Sequence, residues 1–281
     1  MVTAVTEADP PYEATRRDGV LCVRDQETEW LSSGWNGGRT TADCAYNVSV
    51  PEGWNRTDLE AYITDRLERA RFAGESDPVG NQPAPVRAPV LLTGVDIEHA
   101  RGARCGSVTA YATAGISNPA ALPMEPTSEA GLEDVVSQPG ETRTEGPESP
   151  GTVNLIVGTT RALAPGALTN ALAVAAEAKA TTLLAETGFP GTTTDAIVVG
   201  HDPRGRRAAF SGSATPVGAA TRACIREALR ASLRSRYGDS DASVPNTVTD
   251  AADGVSTDVE ARVFRPPRES STRDRTADTG S

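Results

Sequence analysis

Residues 152–200 read TVNLIVGTTRALAPGALTNALAVAAEAKATTLLAETGFPGTTTDAIVVG, and this stretch decides the fold. It begins and ends with short runs rich in Val and Ile, 152–158 and 194–200, which predict buried β-strands. Between them, residues 165–186 are rich in Ala and Leu, and Pro165 occupies the first position of the predicted helix, where proline is favoured. A strand, a helix and a second strand in this order indicate an α/β fold.

The alternation of strands and helices continues on both sides of this stretch. Residues 57–72 predict a helix that opens with a capping box formed by Thr57 and Glu60. Residues 216–235 predict another helix, with Thr215 as its cap. The further predicted strands are 19–23, 45–50, 89–95, 107–116 and 207–213. We expect a mixed sheet covered by helices, in an α/β fold with an α+β arrangement as the alternative.

Two parts of the sequence resemble each other in the order of their elements. The segment 45–70 and the segment that starts at 152 each predict a strand, a loop and a helix. Each is followed by an apparent hairpin, and the basic sequence DPRGRR (202–207) is the predicted tip of the second one. This order predicts two pseudo-symmetric strand-helix-hairpin halves, with a site where loops of both halves converge.

Parts of the chain have the composition of flexible segments. Residues 123–150 and 238–281 are acidic, rich in Pro, Ser and Thr, and carry too little apolar surface to offset the entropy of ordering them. We expect a flexible N-terminal segment over 1–18 and one domain over 19–237 that contains 123–150 as a flexible acidic insertion. The tail from 238 should be mostly disordered, with the apolar fragment 259–264 as a candidate strand.

The charge balance excludes several partners. The 281 residues include 38 acidic and 27 basic ones, a formal net charge of −11. No nucleic-acid partner is expected, because binding to phosphates needs clustered Lys and Arg.

No apolar run approaches the roughly 18 residues of a membrane span, and the first residues lack the apolar core of a secretory signal, so the expected location is the cytoplasm. The basic residues are 26 Arg and one Lys, which indicates adaptation to high salt, with a GC-rich genome as the alternative.

The sequence contains no familiar metal or nucleotide site. Its four cysteines are far apart, and His99 and His201 have no ligand-spaced neighbours, so no metal is expected and the thiols should be reduced and buried. Neither GxxxxGK[ST] nor GxGxxG is present, so no nucleotide cofactor is expected. A hydrolase with a serine or cysteine nucleophile would need one of these two histidines as its base.

The helix over 165–186 and the strand after it carry the catalytic candidates. Lys179 shares a helix face with Leu168, so the one lysine of the chain lies on the apolar stripe of its most apolar helix. It either has a catalytic role or extends its ammonium to solvent. Glu177, roughly 200° around the helix, either shares that role or pairs with an arginine. Asp195 stands at the mouth of a strand, where a carboxylate suits a general base.

Polar residues in predicted turns and strands supply the substrate-binding candidates. Thr192 and Thr194 precede a strand, a place typical of polar sites, with a hydrogen-bonded turn as the alternative. Asn154, inside an apolar strand, and Asn118, after a turn of small residues, both need hydrogen-bond partners if buried.

The runs GTVNLIVGTTRALAPGALTNALAVAAEAKATTLLAETGFPGTTTDAIVVG and FSGSATPVGAATRACIREAL, within residues 151–235, resemble the adenosylcobinamide amidohydrolase family. The pieces WLSSGWNGG, NVSVP and VTAYATAGISNPA, within residues 20–122, are also similar to that family. One departure is Thr193, which stands where the family usually has Gly and adds a side chain near the expected site.

This resemblance implies hydrolysis of the amide that links aminopropanol to the corrin ring of adenosylcobinamide, in the salvage of cobinamide for coenzyme B12. The products would be adenosylcobyric acid and 1-aminopropan-2-ol. The cobalt belongs to the substrate, so no separate metal or cofactor is implied, and the expected partner is a small corrinoid. A non-catalytic corrinoid-binding protein and a threonine-nucleophile amidase acting on another small amide are the alternatives.

Amide hydrolysis needs a base, donors for the developing oxyanion and an acid for the leaving amine. Asp195 or Glu177 is the expected base, and Lys179 or Asn154 an expected donor, together with backbone amides near Gly115.

The turn that contains Asn36 and Gly37 is a further candidate for binding the oxyanion through its backbone amides. A covalent route through Thr194 or Ser117 lacks a neighbouring histidine in the sequence, so direct attack by water is the simpler expectation.

Overall fold

The computed structural model describes residues 11–51, 58–72, 86–125, 151–238 and 243–266, which form ten strands and three α-helices. The strands are β1 (Glu13–Arg17), β2 (Val20–Ser32), β3 (Gly38–Ser49), β4 (Val90–Thr93), β5 (Arg101–Cys105), β6 (Val108–Ala114), β7 (Ala120–Ala121), β8 (Val153–Leu163), β9 (Ala196–Ala208) and β10 (Val255–Ser256). The helices are α1 (Leu59–Arg69), α2 (Pro165–Thr187) and α3 (Pro216–Tyr237).

Eight of the strands form one mixed sheet. Its order is β4-β3-β2-β9-β8-β6-β5, and β1 pairs with the first half of β2. The pairs β3–β4 and β8–β9 are parallel, and the other pairs of this sheet are antiparallel. Parallel neighbours need a crossover connection, which α1 and α2 provide. The predicted mixed sheet covered by helices is confirmed.

Successive side chains along a strand point to opposite surfaces of the sheet, so the core is divided between these two surfaces. In β8, Val153 and Leu155 face α2 and α3, whereas Ile156 belongs to a cluster on the opposite surface of the sheet, around Trp30. Asn154 shares the direction of Ile156 and is buried there. A further cluster packs α1 against β2, β3 and β4.

The two longer helices begin where the sequence predicts. Helix α2 is followed by Gly188, whose left-handed conformation (φ +81°) caps the helix as its N–H donates to the Leu184 carbonyl at 3.1 Å. Helix α3 has Thr215 as its cap, and the Thr215 hydroxyl accepts the Gly218 N–H at 3.1 Å. These ends fix where the chain returns to the sheet.

Helix α1 begins later than the sequence predicts. Its cap is Asp58, whose side chain accepts the Ala61 N–H at 3.1 Å. The predicted cap Thr57 lies outside the described residues. A carboxylate caps a helix as well as a hydroxyl does, so the neighbouring residue provides the same chemistry.

The hairpin predicted at 202–207 and the separate strand predicted over 207–213 are wrong, because β9 is one continuous strand parallel to β8. A register shift in this pair absorbs the turn-favouring residues Pro203 and Gly205. A Cβ at Gly205 would lie 2.1 Å from the Thr160 carbonyl oxygen. The glycine therefore permits a close approach of two backbones instead of a turn.

The predicted similarity of the two halves is present in part. Each half contains a parallel strand-helix-strand unit, β3–α1–β4 in the first and β8–α2–β9 in the second. The first half continues into the antiparallel hairpin β5–β6. The second half has no corresponding hairpin among the described residues, since β9 leads directly into α3.

The N-terminal segment that the sequence predicts to be flexible is ordered in its second part. Strand β1 pairs with β2, and the buried ring of Tyr12 fills the space above Gly158. The Tyr12 hydroxyl donates to the Thr159 carbonyl at 3.0 Å. Pairing with β2 and burial of this ring compensate for the polar composition of the segment.

The C-terminal tail is ordered at a different place from the one predicted. Residues 259–264 form no strand, and the side chains of Val263 and Phe264 are largely exposed. Strand β10 pairs with β7 instead. Most of the predicted insertion 123–150 lies outside the described residues. None of the helices in the described ranges is long and apolar enough to cross a membrane.

Candidate active site

Lys179 and Asp195 meet where α2 returns to the sheet. Residues 188–195, which we call the site loop, connect the end of α2 to the start of β9. The Lys179 Nζ contacts Asp195 Oδ2, and the two side chains are 12% and 10% exposed. We call these two residues the buried pair. The structure thus brings together two of the three catalytic candidates.

The Asp195 carboxylate accepts four hydrogen bonds. Oδ1 accepts the Val153 N–H at 2.9 Å and the Thr192 hydroxyl, and Oδ2 accepts the Thr192 N–H at 3.1 Å and the Lys179 ammonium. A carboxylate has about four such acceptor positions. It is therefore held firmly in place.

The Lys179 ammonium has more N–H donors than the described residues accept. An ammonium carries three N–H groups, and among the described residues Lys179 donates to Asp195 alone. A Cβ at Gly191 would lie 2.4 Å from Asp195 Oδ2 and 2.8 Å from Lys179 Nζ. The lack of a side chain at this position lets the backbone of the site loop pack directly against the buried pair.

Glu177 lies apart from the buried pair, so the structure does not bring this third catalytic candidate together with Lys179 and Asp195. Its carboxylate contacts the guanidinium of Arg222 on α3, and its side chain is 56% exposed. This is the arginine ion pair that the sequence left as the alternative. Helix α2 is not buried all round, so a charge two residues from Lys179 can face solvent.

The threonines of the site loop have different partners. Thr192 reaches Asp195 with both its N–H and its hydroxyl. The Thr194 hydroxyl instead lies 2.9 Å from the Thr152 hydroxyl and donates to the Gly151 carbonyl at 3.1 Å. Thr192 is therefore the hydroxyl that can pass a proton to a carboxylate.

Asn118 joins the site loop to the loop after β6. Its Nδ2 donates to Thr193 Oγ1 at 2.6 Å, and its backbone carbonyl accepts the Thr193 N–H at 3.2 Å. Asn118 is 2% exposed, and its Oδ1 has no hydrogen-bond partner within the described part of the chain. A buried oxygen without a donor is unfavourable by about 1–3 kcal/mol, which an incoming N–H would relieve.

Asn154, predicted as an oxyanion donor and substrate contact, forms its hydrogen bonds within the protein. Its Nδ2 donates to Asn47 Oδ1 at 3.0 Å and to the Leu92 carbonyl at 2.8 Å, and its Oδ1 accepts the Ala196 N–H at 3.2 Å. The protein itself uses both N–H groups of this amide. Asn154 therefore ties β8 to β3, β4 and β9.

Asn36 and Gly37 lie in the turn between β2 and β3, and both are exposed. Asn36 is left-handed (φ +49°), and a Cβ at Gly37 would lie 2.6 Å from the Ser32 carbonyl oxygen. The Ser33 hydroxyl accepts the Ile197 N–H at 2.9 Å, which places this turn beside the start of β9. Within the described ranges, no hydrogen bond joins the turn to the buried pair.

The histidines are engaged elsewhere. His201 is buried, its Nδ1 accepts the Leu163 N–H at 3.1 Å, and its Nε2 lies 3.1 Å from Glu29 Oε1. Burial raises the pKa of Glu29, but hydrogen bonds from His201 and Arg39 outweigh burial and leave this pKa below its usual value. Burial lowers the pKa of His99. No group of three potential metal ligands among His, Cys, Asp and Glu occurs in the described ranges.

The expectation of buried, reduced thiols holds for two of the four cysteines. All four are free, but Cys105 is exposed and Cys44 is half-buried. Burial raises the pKa of the Cys224 thiol to about 11.

Two parts of the site were missed from the sequence. The Val153 N–H holds Asp195, but a backbone amide has no residue-specific signal. Gly191 borders the buried pair, and its place directly before three threonines was the available signal.

A nearly buried ammonium, a carboxylate and a hydroxyl in contact are groups that stabilise an oxyanion and move a proton. On a mixed sheet flanked by helices, such a group of side chains fits a hydrolytic enzyme with an α/β fold. The sequence model of the adenosylcobinamide amidohydrolase family matches residues 3–241. The chain belongs to this family, which confirms the resemblance noted in the sequence.

Two relatives carry the name of this family. The adenosylcobinamide amidohydrolase of Halobacterium salinarum is 56% identical over 255 residues, which cover 91% of this chain and 100% of the relative. That of Methanosarcina mazei is 28% identical over 232 residues, which cover 78% and 96%. Among solved structures, the PH0078 protein from Pyrococcus horikoshii is 14% identical, with a TM-score of 0.40 over 80% of this chain and 79% of that one.

Proposed function

We propose that this chain hydrolyses the amide between 1-aminopropan-2-ol and the corrin ring of adenosylcobinamide. The products are adenosylcobyric acid and 1-aminopropan-2-ol. Family membership supports the substrate, and the relatives from Halobacterium salinarum and Methanosarcina mazei carry the name of this activity. The observation that carries the chemistry is the contact of Lys179, Asp195 and Thr192 inside the family-matched segment.

Lys179 stabilises the oxyanion in this proposal. Attack on the amide carbonyl puts negative charge on its oxygen, and the ammonium has two N–H groups beyond the one given to Asp195. The site is nearly closed to water, so this charge is screened less than it would be at the surface. A donor placed for an oxyanion contributes roughly 3 kcal/mol to transition-state stabilisation.

Asp195 acts as the base, with Thr192 as the connecting group. The Thr192 hydroxyl donates to Asp195 Oδ1, so its oxygen is left to accept a proton from the attacking water. As the water oxygen bonds to the carbonyl carbon, the water proton moves to Thr192 and the Thr192 proton moves to Asp195. When the tetrahedral intermediate collapses, the C–N bond breaks and the proton on Asp195 passes to the leaving amine. The carboxylate is thereby restored.

The remaining candidates contact the substrate around this centre. The unpartnered Oδ1 of Asn118 accepts an N–H of the corrinoid. Asn36, Gly37 and Thr194 lie on loops at the same end of the sheet and contact the rest of the molecule. Because the buried pair is nearly inaccessible, only a narrow arm of the substrate reaches it, while the ring remains outside.

A threonine-nucleophile mechanism is the second candidate, because the Thr192 hydroxyl already donates to a carboxylate. In that route the Thr192 oxygen attacks the carbonyl while its proton passes to Asp195. The proton then goes to the amine as the C–N bond breaks, and water hydrolyses the resulting ester. This route also suits a small amide other than adenosylcobinamide.

Product analysis tests these proposals. The protein is incubated with adenosylcobinamide, and adenosylcobyric acid and 1-aminopropan-2-ol are quantified by mass spectrometry. Equal amounts of both products are expected. Corrinoid binding without either product would contradict hydrolysis and indicate a binding protein. In a rapidly quenched reaction, an acylated peptide containing Thr192 would indicate the covalent route, and its absence would favour direct attack by water.

A further inference from the structure

Strand β10, in the tail after α3, pairs with β7 in the loop after β6. The Val255 N–H donates to the Pro119 carbonyl at 2.9 Å, and the Thr257 N–H donates to the Ala121 carbonyl at 3.0 Å. The side chains of Val255 and Thr257 are exposed. The tail therefore holds this loop mainly through its backbone N–H groups.

The other edge of the same loop holds the site loop. The Ala120 N–H donates to the Gly191 carbonyl at 3.0 Å, and Pro119 forms an antiparallel bridge with Thr192. Asn118 and Thr193 add the two hydrogen bonds described above. Residues 118–121 thus lie between the tail and the site loop, which carries the Thr192 hydroxyl.

The tail is anchored on the way to this contact. Val244 and Val248 pack against the core cluster that α2 and α3 share, and the Thr247 N–H donates to Asp250 Oδ2 at 2.8 Å. The family match ends at residue 241, so this anchored segment and β10 lie beyond the part of the chain that defines the family.

We infer that the backbone N–H groups of Val255 and Thr257 make this segment a positioning strand of the active site. They hold residues 118–121 in register, and through them the Gly191 carbonyl and the Thr193 N–H. This inference rests on the proposed function. A positioning strand adds no group to the chemistry, and it acts by keeping Thr192 aligned with Asp195. Misalignment by about 1 Å can lower a rate on the order of 100-fold.

The test removes the two donors in the full-length protein. Proline has no N–H, so a Val255→Pro, Thr257→Pro double variant loses both bonds to the loop, while the exposed side chains contribute little packing. Ser256→Pro is the matched control, because the N–H of Ser256 alternates away from β7 and proline is tolerated at such an edge position. We expect the double variant to have a kcat lowered on the order of 10-fold or more, with little change in KM or Tm. The control should behave as wild type.

Hydrogen exchange gives a readout that does not depend on activity. Peptides covering 115–125 and 189–196 should exchange faster in the double variant than in the Ser256→Pro control. Wild-type kcat and exchange in the double variant would overturn the inference, and so would equal losses in the control. If the double variant melts early, Thr257→Pro alone is expected to give a smaller change in the same direction. A wild-type protein that releases no aminopropanol refutes the proposed function, whereas the exchange comparison still decides the inference.

Discussion

Lys179 is the one lysine in a chain with 26 arginines, and its surroundings explain the choice. A compact ammonium fits beside the Asp195 carboxylate and the bare backbone of Gly191. The planar guanidinium of arginine is larger and presents its donors in a fixed fork. Leaving one member of a buried ion pair without its partner costs about 3–5 kcal/mol. Position 179 therefore requires a side chain with both the positive charge and the compact shape of lysine.

The first prediction concerns this pair. Lys179→Arg keeps the charge but changes its size, and we expect kcat to fall on the order of 10-fold or more. Asp195→Asn keeps the shape but removes the base, and kcat should fall on the order of 100-fold or more. Corrinoid binding should persist in both variants. Turnover and a binding titration with adenosylcobinamide measure these effects, with Tm as a check on folding.

Glu177→Gln is the matched control for these variants. Glu177 lies two residues from Lys179 on the same helix, but it is exposed and paired with Arg222. Exposed ion pairs contribute about 0–1 kcal/mol to stability, so this variant should keep wild-type turnover. If Lys179→Arg and Asp195→Asn also hydrolyse adenosylcobinamide at wild-type rates, the site lies elsewhere, and the turns around Asn36 and Asn118 are the next candidates.

At the scale of single residues, the sequence shows which residues are unusual. It does not show which of their hydrogen-bonding groups other parts of the protein already occupy. Lys179 was identifiable because the chain otherwise avoids lysine. Asn154 was correctly expected to need partners, but only packing shows that Asn47 and Leu92 take both of its N–H groups. The place of Glu177 depends on Arg222, which lies on another helix, 45 residues further along the sequence, and pairs with the Glu177 carboxylate. Such partners are long-range contacts that a local pattern does not contain.

At the scale of elements, the site loop depends on a glycine at 191. A Cβ there would press on both members of the buried pair. We expect Gly191→Ala to lower kcat on the order of 10-fold and to destabilise the protein by about 1–3 kcal/mol. Gly166→Ala is the control, because a Cβ at Gly166, in the first turn of α2, meets nothing within 4 Å. Kinetics and thermal unfolding of both variants test this. Equal behaviour of the two would contradict it.

The elements themselves were predictable where local signals agree. Helix α2 has its proline at the start and its glycine after the end, and the structure places it there. Strand β9 was divided in the prediction because Pro203 and Gly205 are turn-forming residues. Pairing with β8 on both sides of a register shift overrides that preference. Strand β10 could not be foreseen, because it consists of two exposed residues whose stability comes from β7.

At the scale of the whole molecule, the sheet curls so that strands distant in its order meet. Asn154 on β8 donates to Asn47 on β3, and Asn47 donates to Thr113 on β6 at 2.9 Å. Asn154 also donates to a carbonyl of β4, which lies at one edge of the sheet. The mixed sheet could be predicted from alternating strands and helices. Its order and its curl could not, since they depend on these buried contacts between distant segments.

The net charge of −11 makes the stability of the whole molecule depend on salt. Most described ion pairs join exposed arginines to carboxylates, and each contributes about 0–1 kcal/mol that salt weakens. The buried pair is screened much less. Repulsion acts among all the surplus acidic groups, and it fades as the Debye length falls from about 10 Å at 0.1 M to about 3 Å at 1 M. Relief of this repulsion should exceed the loss from surface pairs.

We therefore expect Tm and turnover to rise between about 0.1 and 2 M KCl, as measured by calorimetry and product release. A Tm that stays constant across this range would contradict adaptation to salt and leave genome composition as the reason for the scarcity of lysine.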